Sequence, residues 1–164
     1  MPSKALARTL SDDTGAAASG AANAARAVAR ILGGKRVLGI QVDSEADIAR
    51  LVDRRISVKA IEALKTQGLS DDEINYLVIP RRTLSHRHQK KEPLTVEESD
   101  RAVRLARLLA SAQSTFGNRA KADGWLRKPL RTLTGRRPLE LAHTDVGARM
   151  VENLLARIAW GAAA

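Results

Sequence analysis

Apolar residues recur every three or four positions along most of the chain, and a short polar residue precedes nearly every such run. Ser44 and Asp47 fit a capping box ahead of Ile48, Leu51 and Val52, with the Ser44 hydroxyl accepting the Asp47 amide while the Asp47 carboxylate reaches back. Ser57 can cap a helix carrying Val58, Ile61 and Leu64, which Gly68 stops. Ser70 and Glu73 repeat the box before Ile74, Leu77 and Val78. Pro80 suits a first helical position, where its missing N–H has no intrahelical acceptor, and starts a helix through about His88. Four short helices are therefore predicted between residues 45 and 89.

A third box, Thr95 with Glu98, opens a long helix whose broad face holds Val103, Leu105, Ala106, Leu108, Leu109, Ala110, Ala112 and Phe116. Gly117 and Asn118 break it, and a short helix with Trp125 and Leu126 follows. Residues 128–143 hold two prolines and a glycine too closely spaced for long elements, although Leu130, Leu133, Leu139 and Leu141 can enter a core. Thr144 caps the last helix, where Val146, Met150, Val151, Leu154, Leu155 and Ile158 repeat until Gly161. At the other end, residues 1–34 contain eleven alanines. A helix from about Ala21 to Leu32 fits there, but its stripe of Val28, Ile31 and Leu32 is narrow, so residues 1–35 are expected to form a weakly attached, partly disordered arm. No strand signal competes, and the fold class is all-α.

Composition agrees with that class. Of 164 residues, 44% are hydrophobic but only 2% aromatic, which favours an aliphatic, alanine-rich helical core. Cysteine is absent, excluding thiol nucleophiles, thiolate metal sites and disulfides. The start, MPSKALARTLSDD, has no apolar signal-peptide core, and no run is long enough to span a bilayer, so a soluble cytoplasmic protein without a membrane partner is expected. A formal net charge of +10 points to a polyanionic partner.

The basic residues are concentrated. Residues 81–91 carry five Lys or Arg and no acid, on the second helix of what reads as a helix-turn-helix. Arg82, Ser85 and His86 are the expected base readers, with Arg81, Arg87, Lys90 and Lys91 on phosphates. The alternative is a solvated basic linker. His86 and His88 do not share a helical face, so no metal site is expected, and Glu97, Glu98 and Asp100 read as first-turn anions rather than catalytic carboxylates. Residues 119–137 hold seven Lys or Arg against Asp123 alone, which suits a solvated face, a further DNA contact or an acidic docking partner. Trp125 and Trp160 could each anchor the core, and Trp160 could equally serve an intermolecular surface.

Upstream, GLS at 68–70 and IPRRTLSHR at 79–87, and downstream RLARLLASAQSTFG at 104–117, GRRPLEL at 135–141 and TDVGARMVENLLARIAWG at 144–161, resemble the Xre/MbcA/ParS antitoxins. The resemblance implies an Xre/Cro-like helix-turn-helix domain over 36–95 and a helical toxin-binding domain over 96–164, which is also the candidate for dimerisation. It also implies the antitoxin of a type II toxin-antitoxin system: a homodimer, without cofactor or catalysis, that occludes an NAD-degrading RES-domain toxin and autoregulates its operon by binding double-stranded promoter DNA. Toxin contacts would then involve Arg136, Arg137, Arg149, Trp160, Gly161, Ala162, Ala163 and Ala164. A stand-alone Xre-like transcriptional regulator without a toxin is the main alternative. A localisation adaptor and an RNA binder are weaker ones, the latter because no aromatics interleave the basic segment.

Overall fold

The computed structural model describes residues 4–161, and the side chains of residues 18–161. Among them the chain forms ten α-helices and one 3-10 turn: α1 (Lys4–Ile31), α2 (Gly34–Leu38), α3 (Glu45–Asp53), α4 (Lys59–Thr66), α5 (Asp71–Leu77), α6 (Arg81–Lys90), α7 (Val96–Phe116), α8 (Arg119–Arg127), the 3-10 turn Arg131–Leu133, α9 (Pro138–Leu141) and α10 (Asp145–Ala159).

The polar residues before the helices act as caps, with instructive exceptions. Ser70 with Glu73 and Thr95 with Glu98 form complete reciprocal boxes. At α3 the Ser44 hydroxyl accepts the Asp47 amide and donates to the Asp47 carboxylate at 2.8 Å, but that carboxylate takes the Asp43 N–H at 3.0 Å instead of the Ser44 backbone N–H. Its side chain is one methylene shorter than that of the glutamate the reciprocal box requires. Ser57 sits one residue too early to cap α4 and accepts from Lys59 N at 3.3 Å. Pro80 stands at the N-cap of α6 rather than inside it.

The amphipathic central helix α7 organises the rest. Its buried residues, Ala102, Val103, Leu105, Ala106, Leu108, Leu109 and Ala112, cover so wide an arc that α1, α3, α8 and α10 all pack against it. Between them lies one continuous core running from Ala25 to Leu155, without a seam between the two halves of the chain. Polar ties reinforce it. Arg101 donates to Val78 O in the α5–α6 turn, Arg104 to His143 O before α10, and Arg107 to Glu45 at the start of α3. At spacings of three residues these guanidiniums fan around α7 and fasten three different segments to it.

The N-terminal segment differs from the expected arm. Ala25, Val28, Ala29, Ile31 and Leu32 are buried against the body, so the end of α1 belongs to the core. The narrow stripe suffices because the alanines Ala25 and Ala29 are buried with it, widening the face that α1 packs against α2, α3 and α7. The following turn is built on Gly33 at φ 100°, where a Cβ would meet Val37 Cγ2 at 2.4 Å.

Candidate functional site

The α5–α6 pair has the geometry of a helix-turn-helix. Ile74, Leu77, Val78, Ile79 and Leu84 are buried at its junction, and α6 leaves the turn with its backbone capped from outside its own sequence: Asn75 Oδ1 of α5 accepts the Arg81 N–H at 2.8 Å. Asp71, at the start of α5, is paired by two neighbouring cations. Lys65, at 2.9 Å, hydrogen-bonds Asp71 and holds its carboxyl below the usual range, and Arg81 approaches the same carboxylate at 3.8 Å.

Outward, α6 presents Arg82, His86 and Gln89 along one ridge, at the i, i+4 and i+7 positions diametrically away from Leu84, with Ser85 and Lys90 at its flanks. All five are exposed. Gln89 was not among the expected readers, although its spacing from Arg82 is a legible signal. Lys91 is exposed too, and its left-handed backbone, φ 55°, closes the helix.

Arg87 departs from the expectation. Instead of pointing to solvent with its neighbours, it turns into the protein, with only 13% of its side chain exposed. Its Nη1 donates to Pro93 O at 3.3 Å and its Nη2 to Glu98 Oε1 at 3.3 Å. Its Nε lies 2.9 Å from Glu98 Oε2 but off the N–H axis, leaving that contact chiefly coulombic. The reason is helical geometry: Arg87 lies three residues after the buried Leu84, on the same face.

The second exposed feature is α10. Gly147, Ala148, Val151, Leu154 and Leu155 face the core, whereas Val146, Met150, Asn153, Arg157 and Trp160 follow one another along the opposite side. Val146 is 70% exposed, Met150 48% and Trp160 89%. The expectation that Val146 and Met150 continue the core face is therefore corrected. Both lie more than a quarter turn from Val151, while Ala148 and Gly147, too small to register in the apolar pattern, fill the core side. Trp160 belongs to the surface, unlike Trp125, which is half-buried with its ring 5.5 Å from that of Phe116.

The expected toxin-contacting cations are in unequal states. Arg136 is exposed, Arg137 lies 3.7 Å from Glu140, and Arg149 pairs with Asp145 at 3.0 Å. Gly161, at φ 73°, ends the helix, and Ala162, Ala163 and Ala164 lie outside the described residues.

Between α3, α7 and α10 lies an open cleft of about 460 Å³ whose charged lining is largely self-paired: Arg104 with Asp100 at 2.5 Å, Arg107 with Glu45, Arg149 with Asp145. Among the described residues no three His, Asp or Glu gather as a metal would require, and no helix is long and apolar enough to cross a membrane.

Comparison with known proteins joins these features. Residues 47–107 match the antitoxin Xre-like helix-turn-helix domain, and residues 111–161 match the antitoxin Xre/MbcA/ParS C-terminal toxin-binding domain. An antitoxin Xre of Yersinia enterocolitica is 30% identical over 74% of this chain and 76% of its own length. The chain belongs to the Xre/MbcA/ParS antitoxin family.

An antitoxin Xre of Pseudomonas putida is 43% identical over 84 residues, a match that spans about half of each chain (51% and 53%). A Prs ADP-ribosylating antitoxin of Sphingobium is 32% identical over 49% of this chain and 56% of its own. In this family member the helix-turn-helix match contains the α6 ridge, and the toxin-binding-domain match contains α10 and its exposed side chains. The C-terminal domain also grips the helix-turn-helix directly. Arg127 of α8 bonds Glu73 of α5 at 2.8 and 2.9 Å, and the His143 ring stacks on Tyr76 at 4.7 Å. Burial resists the Glu73 charge, yet the bonds from Arg127 and from the Ser70 amide outweigh it and hold that carboxyl below its usual range. The family is one of binding proteins, and the assignment is consistent with a non-enzymatic role.

Proposed function

We propose that this chain is the antitoxin of a type II toxin-antitoxin pair, acting in the cytoplasm, where it occludes an NAD-degrading RES-domain toxin with the α10 end of the molecule and represses its own operon with α6. The observation that carries the reading is the ridge on α10. The family's toxin-binding region ends in a helix that leaves Val146, Met150 and Trp160 in solvent, an arrangement suited to an interface whose energy concentrates on a few large side chains. Small residues after Trp160 could follow it into a narrow cleft with little steric demand.

On this reading residues 36–95 serve DNA and residues 96–164 serve the toxin and a homodimer, while residues 1–35 lend their helical end to the shared core. Arg82, Ser85 and His86, joined by Gln89, read bases, and Arg81, Lys90 and Lys91 neutralise phosphates. A two-fold dimer places paired half-sites about 34 Å apart or a multiple of that.

The Sphingobium relative is named an ADP-ribosylating antitoxin, which supports a second reading of the partner, a toxin that transfers ADP-ribose. Both chemistries begin by breaking the bond between nicotinamide and ribose, so one occluded cleft serves either. The test is an inhibition titration of the toxin from the same operon, following NAD loss and ADP-ribose transfer separately, with the full chain and with a chain ending at Ala159. Full-length protein should inhibit and the shortened one inhibit less. Equal inhibition by a folded truncation removes Trp160 and the tail from the toxin contact.

A further inference from the structure

The recognition helix of an HTH protein reads sequence only if its rotation and tilt are fixed, and α6 has unusually little apolar surface with which to fix them. Leu84 is its one buried side chain. Its start is tethered by Asn75, as described above, and its second half is held by Arg87. Arg87 is gripped in turn by a carboxylate that is itself immobile. Glu98 Oε2 accepts the Thr95 N–H at 2.8 Å while the Glu98 N–H donates to Thr95 Oγ1 at 3.1 Å, so the side chain is locked by the N-terminal box of α7 and only 10% exposed. A planar guanidinium spanning that carboxylate and Pro93 O fixes direction as well as distance.

We propose that Glu98 is a positioning residue for DNA reading. It holds Arg87, and through Arg87 the rotation of α6, so that Arg82, His86 and Gln89 stay on the outward ridge. Arg87, basic and set among basic neighbours, thus serves specificity from inside the protein instead of contacting a phosphate. Each helical residue turns the chain by about 100°, so a rotation of a few tens of degrees is enough to carry Arg82 away from a base edge. The proposal rests on α6 being the helix that enters the groove.

Opposite signs separate positioning from simple electrostatics. Glu98→Gln removes a negative charge from the DNA-binding half and keeps an oxygen that can still cap Thr95. As an electrostatic bystander, Glu98 would on removal tighten binding to every duplex alike. As a positioning residue, its loss should lower affinity roughly tenfold for a duplex selected by the wild-type chain from a random-sequence pool. Affinity for a scrambled duplex of the same composition should hold or rise, because a released Arg87 can turn outward. Arg87→Ala should likewise lower the selected-to-scrambled ratio with the salt slope unchanged, whereas a phosphate-binding arginine would cost the slope about one unit. Arg87→Lys, which keeps the charge and disturbs folding least, should fall between wild type and Arg87→Ala on the selected duplex alone. All affinities are read at a temperature where circular dichroism shows each variant folded. An equal change on both duplexes for Glu98→Gln, or a lowered salt slope for Arg87→Ala, overturns the proposal. A wild-type chain that enriches no sequence from the pool instead defeats the recognition-helix reading, and the proposal with it.

Discussion

Gly147 and Gly124 both occupy helices, and alanine at the two positions should move stability in opposite directions. Gly147 lies in the first turn of α10, donating its N–H to the Thr144 hydroxyl at 3.1 Å. A Cβ there would stand 2.1 Å from Leu141 O and 2.9 Å from Leu141 C and Thr144 Oγ1. An ordinary carbon–oxygen approach is about 3.3 Å, so the carbonyl must retreat by roughly 1 Å. It has little freedom to do so, because it accepts the Thr144 N–H at 3.2 Å in the turn joining α9 to α10. Overpacking against backbone costs about 1–3 kcal/mol, and disturbing the Thr144 cap about 1 more, against a helix-propensity gain of about 1. The net for Gly147→Ala is about 2 kcal/mol of destabilisation, or a fall in Tm of about 4–8 °C at this chain length. Gly124 has nothing within 4 Å of its Cβ position, so Gly124→Ala should raise Tm by about 2 °C through propensity alone. Thermal unfolding followed by circular dichroism measures both. A Gly147→Ala protein as stable as wild type would refute the close docking of α9 on α10.

Three further outcomes follow from the surfaces. Trp160→Ala should leave stability within about 0.5 kcal/mol, since its side chain touches little of its own protein, yet weaken toxin inhibition by about 2 kcal/mol or more, read by unfolding and by inhibition titration of the same sample. Arg82→Ala should cost about 1–3 kcal/mol chiefly at one base position, whereas Lys90→Ala should weaken selected and scrambled duplexes alike and lower the salt slope by about one; equal losses for Arg82→Ala would make it a phosphate contact. The Glu73 carboxyl titrates lower in the folded than in the unfolded chain, so its bond to Arg127 stabilises the protein above the ordinary glutamate range, near pH 4–5, and is lost as pH falls through the lowered folded value. Glu73→Gln should therefore be less stable than wild type at pH 7, with the gap closing as the two are melted at successively lower pH; a gap independent of pH would contradict the assignment.

What the sequence made legible was mostly local. The boxes at Ser70 and Thr95 could be read because both partners lie three residues apart, and the glycines at 117 and 161 because a helix end is a short-range event. The inward turn of Arg87 depends on Glu98, a residue of the next helix, and only its spacing from Leu84 hinted at it. The two faces of α10 were blurred because Val146 and Met150 are apolar while Gly147 and Ala148, which are buried, carry too little side chain to mark the core side. The docking of α1 was hidden for the same reason: buried alanine looks like exposed alanine until the partner helix is in place. Family motifs marked the two segments that hold α6 and α10, but which residues of each face outward depends on packing.

On the proposed function one chain presents two separate surfaces, α6 for DNA and α10 for a toxin, fastened to a common helix α7. Backbone hydrogen–deuterium exchange on the chain alone, with the toxin of the same operon, and with a duplex selected from a random pool tests it most directly. The toxin should slow exchange over residues 144–161 and leave 81–91 unchanged, and the duplex should do the reverse. Protection of residues 81–91 by the toxin, or of 144–161 by the duplex without the recognition helix, would contradict the account.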